Sequence, residues 1–206
     1  MIDSSKHGVY LHGLPGEHSS SRLEQALALC ASSCLDKCAG ASAGEHPDAV
    51  WMRLYAASER LKLALHDGDA AQAILEIGSN LMGCEEMGIL GMDQTSSLSF
   101  LARSGIGTEH EQALAVHVRE LVAVIEADEI LLAQEEESGS AFCSELGITA
   151  FVPVWHDRKP RGAIVFYRLL AQRNGLDPAD RELLELLSIF SGPSLFSERP
   201  DKVSRL

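Results

Sequence analysis

From Asp48 the apolar positions Trp51, Leu54, Tyr55, Leu61 and Leu65 recur at helical spacing, until "HDGD" breaks the run at Gly68. A second helix is predicted through Ile74, Ile77 and Leu81, with Asp69 and Gln72 as the capping-box pair that opens it. The same two stretches also fit one long kinked rod. After "NLMGCEE" the period changes, and "EMGILGMD" and "LSFLARSG", separated by "QTSS", read as two strands of a hairpin. Thr108 and Glu111 make a second capping-box pair. They open a helix whose buried side carries Ala113, Leu114, His117, Val118, Leu121, Val122 and Ile125, ending near Asp128.

The second half continues with "EILLAQ", a short apolar run suited to a strand, and "EEESGSAFCSELG", a loop. "ITAFVPVW" and "GAIVFYRLL" flank "HDRKPR" as the clearest hairpin in the chain. The last helix has Asp177 as N-cap, Pro178 at its first position and Asp180 in its first turn. Leu183, Leu184, Leu187 and Phe190 form its apolar stripe before "SGP" stops it. At the other end, residues 1–20 read as a flexible leader, and residues 21–46 as a cysteine-bearing helix with a linker. Residues 47–196 then form the main domain and 197–206 a tail. The element order implies an α+β fold, with a central, largely antiparallel sheet of about five to six strands flanked by helices and an N-terminal helical extension.

Composition narrows the function classes. With 46% hydrophobic and 23% charged residues the chain is neither disordered nor a membrane protein in bulk, and no run approaches the length of a spanning helix. A formal charge of −13 argues against nucleic acid and anionic membranes as partners. The one short basic cluster, "HDRKPR", reads as a solvated turn. Five cysteines, an odd number, without a secretion signal point to reduced thiols and a cytoplasmic location.

The helix before "GILGMD", the hairpin partner "SLSFLARSG", then "AFVPVW", a turn, "RGAIVFYRLL" and the closing "LDPADRELLELLSIFSGPSL" together resemble a GAF domain over roughly residues 50–196. The resemblance implies a sheet whose outer face is covered by helices from both termini. GAF domains commonly use those helices to dimerise or to dock a partner. Some members attach linear tetrapyrroles through a Cys next to a His, and methionine sulfoxide reducing members use several Cys in the pocket. Here the thiols of Cys84 and Cys143 sit in "GCEE" and "FCSE", which match neither pattern.

Cys30, Cys34 and Cys38 in "LCASSCLDKC" fall on one helical face, and they span about 12 Å, too far for all three to reach one ion. Two of them, with ligands from elsewhere or with His46 beyond, would suit a soft metal; a small-residue packing face is the plainer reading. His7, His12 and His18 are scattered without matched carboxylates or thiols. No hydrolase, metalloprotease, P-loop or paired CxxC motif occurs, and the chain is expected to be non-catalytic and to need no cofactor.

The expected function is therefore regulatory, through contact with another protein or a second copy of the chain. Trp51, Tyr55, Leu183, Leu187 and Phe190 are the expected association residues, because large apolar side chains on terminal helices favour interfaces. The rival is a small-molecule sensor whose cup between sheet and loop is walled by Phe100, His117, Phe142, Phe151 and Val154. A metal or redox role for the cysteine row is the third reading.

Overall fold

The computed structural model describes residues 47–134 and 139–196. The leader, the cysteine helix with Cys30, Cys34 and Cys38, and the C-terminal tail lie outside the described residues.

Helix α1 (Pro47–Asp67) ends where Gly68 takes a φ of 75° and returns its amide to the Ala64 carbonyl at 2.7 Å. That left-handed turn favours glycine, and it separates α1 from α2 (Ala70–Leu81). The expected cap of α2 does not form. Asp69 is instead bound by Arg60 at 2.8 Å and Gln72 donates to Glu76 at 3.1 Å, so a charge from α1 outcompetes the local box.

Strands β1 (Cys84–Met92) and β2 (Leu98–Ser104) form the first hairpin, and Asp93 organises its turn. Its carboxylate accepts from the Thr95 and Ser97 amides at 2.8 and 2.9 Å and from the Thr95 hydroxyl at 2.7 Å. The single helix expected after it is two: α3 (Thr108–Val116) and α4 (Val118–Ala127), broken at His117. Gly107, not Thr108, caps α3, because Thr108 is already helical and Glu111 is ion-paired with Arg103.

Strand β3 forms only over Leu131–Leu132, and a short helix α5 (Gly139–Glu145) stands where a loop was expected. β4 (Ala150–His156) and β5 (Lys159–Leu169) are joined by Asp157 and Arg158, both at positive φ, the two-residue turn whose twist matches a hairpin. Helix α6 (Pro178–Phe196) runs through "SGP" instead of stopping there, with Pro193 inside it.

The five strands lie in the order β2-β1-β5-β4-β3, and every neighbouring pair is antiparallel. Alternation along the strands sends Met87, Ile89, Val152, Ile164 and Phe166 to one face, where α2 packs on β1 and α6 on β4, with α1 behind them. The fit there is close: a Cβ at Gly78 of α2 would lie 2.3 Å from the Met87 sulfur. The other face carries Leu90, Phe151, Ala163, Val165 and Tyr167, covered by Leu114, Leu121, Ile125, Cys143, Leu146 and Ile148. No helix among the described residues is long and apolar enough to cross a membrane.

Candidate functional site

The expected ligand cup is only partly assembled. Phe151 is fully buried, and Phe142 meets it edge-on with ring centroids 6.4 Å apart; Phe100 packs at the margin of the same apolar layer. Val154 does not join them. It has the parity of Ala150 and Val152 and faces the α6 side, a reversal that follows from strand alternation. His117 is not on a helix face. It forms the joint between α3 and α4, its amide bonded to the Ala113 carbonyl at 3.2 Å and its carbonyl taking the Leu121 amide at 3.0 Å.

A groove of about 460 Å³ opens beside this layer, between β2 and α3. Leu98, Phe100, Leu101 and Leu114 supply its apolar wall, and Arg103, ion-paired with Glu111, its polar rim. The Arg103 guanidinium lies 6.0 Å from the centre of the Phe100 ring. Of these residues only Phe100 is among the expected walls of the cup. The alternation in "LSFLARS" pairs Leu98 with Phe100 on one face; it gives no signal for Leu101 and Arg103, which alternate to the other.

One end of the sheet is polar. Arg168 on β5 bonds Glu85 at 2.9 Å and Glu86 at 2.6 Å, and His110 from α3 lies 3.7 Å from Glu86 and 3.6 Å from Glu109. The His110 ring also stacks edge-on against Tyr167, centroids 4.2 Å apart. Burial pushes the Tyr167 hydroxyl well above its ordinary range.

The two described thiols are held in the core. Cys84 donates to the Glu86 and Arg168 carbonyls at 3.2 and 3.1 Å, and burial pushes its pKa up to about 11; Cys143 is raised to about 11 by burial alone. At pH 8 roughly one in a thousand of either would be thiolate, the reactive form. Iodoacetamide at that pH is therefore expected to leave both unmodified in the native chain and to label both in denaturant, read by peptide mass mapping. Native labelling of either would refute it. Among the described residues no group of three His, Cys, Asp or Glu side chains is placed to hold a metal ion.

The expected association residues divide. Leu183, Leu187 and Phe190 are buried inside the chain's own core, beneath α1 and against β4, so they offer no surface. Trp51 is half-buried. Tyr55 is exposed, as are Met52 and Leu63, which were not singled out.

The sequence matches no family model and no curated protein. Solved structures with a similar fold include the GAF domain of an Acinetobacter phosphoenolpyruvate-protein phosphotransferase. The two are 19% identical with a TM-score of 0.46, covering 69% of this chain and 92% of that one. The chain resembles a GAF domain in fold. The phycocyanobilin-bound GAF domain of a cyanobacterial phytochrome is 12% identical with a TM-score of 0.42, covering 70% of this GAF-like chain and 94% of its own. The N-acylhomoserine lactone dependent LuxR-family factor CepR2 of Burkholderia cenocepacia is 13% identical with a TM-score of 0.48, covering 72% and 99%. These likenesses are of fold alone.

Proposed function

We propose that the chain is a non-catalytic, GAF-like regulatory module that works by protein–protein contact through the outer face of α1. The observation that carries the reading is an apolar stripe. Met52, Tyr55 and Leu63 are 68%, 64% and 58% exposed and share one side of α1, opposite the core residues Ala57, Leu61 and Ala64. Single exposed apolar residues are ordinary, but here Met52 and Tyr55 are neighbours and Leu63 lies two turns on, beyond the exposed Glu59–Lys62 ion pair, which supports reading this side as a docking surface with apolar and charged parts. Trp51, one turn before Tyr55, flanks the stripe as a half-buried anchor.

The test is the double variant Met52→Glu with Leu63→Glu, compared with the parent chain by native mass spectrometry of protein isolated from its host. The parent is expected as a dimer or with a second polypeptide, and the variant as a folded monomer. A variant that keeps the parent's assembly, or a parent that is monomeric and unaccompanied, would overturn the reading.

The groove between β2 and α3 favours a second reading, a sensor for a small ligand with an apolar body and a polar end facing Arg103 and Glu111. A copurifying molecule that is lost on Phe100→Ala would support it.

A further inference from the structure

We propose that Trp155 couples helix α4, on one face of the sheet, to helix α6 on the other, so that a shift in the last turn of α4 is passed to a weak point in α6. Trp155 is the penultimate residue of β4 and engages both sides. Its indole N–H donates to the Ile125 carbonyl in the last turn of α4 at 3.0 Å, and Ile125 itself is buried in the layer beside the groove. Its own carbonyl lies on the opposite side against Gly192 of α6, where a Cβ would sit 1.7 Å from that oxygen. The pairing of β4 with β5 slips between Val154 and Trp155, and such a bulge re-aims the residue that follows it.

The contact falls where α6 bends most readily. Pro193 has no N–H to give the Ile189 carbonyl, and the Ser194 hydroxyl reaches back to the Phe190 carbonyl at 2.6 Å, an arrangement that loosens a helix. The Ser191 hydroxyl beside it is fully buried without a hydrogen-bond partner, so the native packing of this turn is not the best hydrogen-bonded one. Beyond Pro193, Arg161 from β5 lies 5.0 Å from the centre of the Phe196 ring and holds the end of the helix. A displacement of α4 thus has a continuous route of one hydrogen bond and one backbone contact to the turn of α6 around Pro193. α6 also packs against the inner side of α1, so a shift of α6 reaches the docking face only by moving α1 as a whole; that last step rests on the function proposed above.

Coupling between two sites is reciprocal, which supplies the test. Trp155→Phe keeps an aromatic side chain, smaller by the pyrrole ring, and removes the N–H; Gly192→Ala forces a methyl group onto the Trp155 carbonyl. Hydrogen exchange of the full chain is read by mass spectrometry at 121–128, 183–187 and 190–196. Trp155→Phe is expected to speed exchange about fivefold, the worth of one hydrogen bond, at 190–196 as well as at 121–128, leaving 183–187 unchanged. Gly192→Ala is expected to speed exchange at 121–128. Ser194→Ala, which alters α6 without touching Trp155, is expected to leave 121–128 alone. A Trp155→Phe effect confined to α4, or a Ser194→Ala effect on α4 equal to that of Gly192→Ala, would overturn the coupling. The measurement needs no partner, so its failure is separate from failure of the docking reading.

Discussion

Replacing Leu187 by glutamate is expected to abolish the folded state. Leu187 is fully buried on α6, within the stripe of Leu183, Leu184 and Phe190 that packs on β4 and α1. A carboxylate there loses its hydration without gaining a partner, and the packing of the leucine, worth about 2–5 kcal/mol on its own, is lost with it; together these reach the total stability of about 5–15 kcal/mol of a domain. Leu63→Glu, on the outer stripe of α1, is expected to change stability by only about 0.5 kcal/mol, because its side chain already meets solvent. Thermal melting by circular dichroism with gel filtration separates the outcomes. No cooperative transition is expected for Leu187→Glu and a parent-like one for Leu63→Glu. A folded, monomeric Leu187→Glu would restore α6 as the association face.

That contrast shows where sequence is readable. The start of α6 was legible because its chemistry is local: the Asp177 amide donates to Asp180 at 2.9 Å and the Asp180 amide to Asp177 at 2.8 Å, three residues apart. The same pattern failed at Asp69 because its competitor, Arg60, belongs to another helix. The orientation of α1 was misread because hydrophobicity favours large residues. Leu65 belongs to the expected apolar side yet meets solvent, whereas the buried line runs through Ala57, Leu61 and Ala64, where the two alanines let α1 approach its neighbours. Val154 was assigned to the wrong face because "AFVPV" is buried on both sides, so alternation leaves no trace in it. "SGP" read as a stop. Gly192 is there because the Trp155 carbonyl leaves no room for a side chain, which no local pattern reveals. The sheet, by contrast, was legible in its hairpins, because turn residues and apolar runs are neighbours in sequence.

Least legible of all was the charged cluster joining the two terminal helices, and Asp180→Ala is expected to cost the chain about 3–5 kcal/mol. Asp180 is 0% exposed and receives Arg53 from α1, 127 residues away, Arg173 from the turn before α6, and the Asp177 amide. Arg53 also bonds Asp177 at 3.1 Å and the Leu81 carbonyl at the end of α2 at 2.6 Å. Removing Asp180 leaves two largely buried guanidinium groups to share Asp177, and the penalty is chiefly that of unpaired buried charge. Arg53→Met alone is therefore also costly. Combined with Asp180→Leu it should lose less than the sum of the two single changes, since both charges then leave together. Acid sharpens the distinction between the carboxylates. Burial works to raise Asp177, but the Asp180 amide and the Arg53 and Arg173 charges prevail and hold it below 3.8; its share of stability is present above 3.8 and lost as pH falls through its lowered value. Burial and the Asp177 charge raise Asp180 instead, so proton uptake there favours the native state as pH falls toward 3.8. Asp177→Asn should accordingly flatten the acid limb of a urea-unfolding series. Additive losses in the Arg53→Met and Asp180→Leu pair would show that α1 and α6 are held by apolar packing alone.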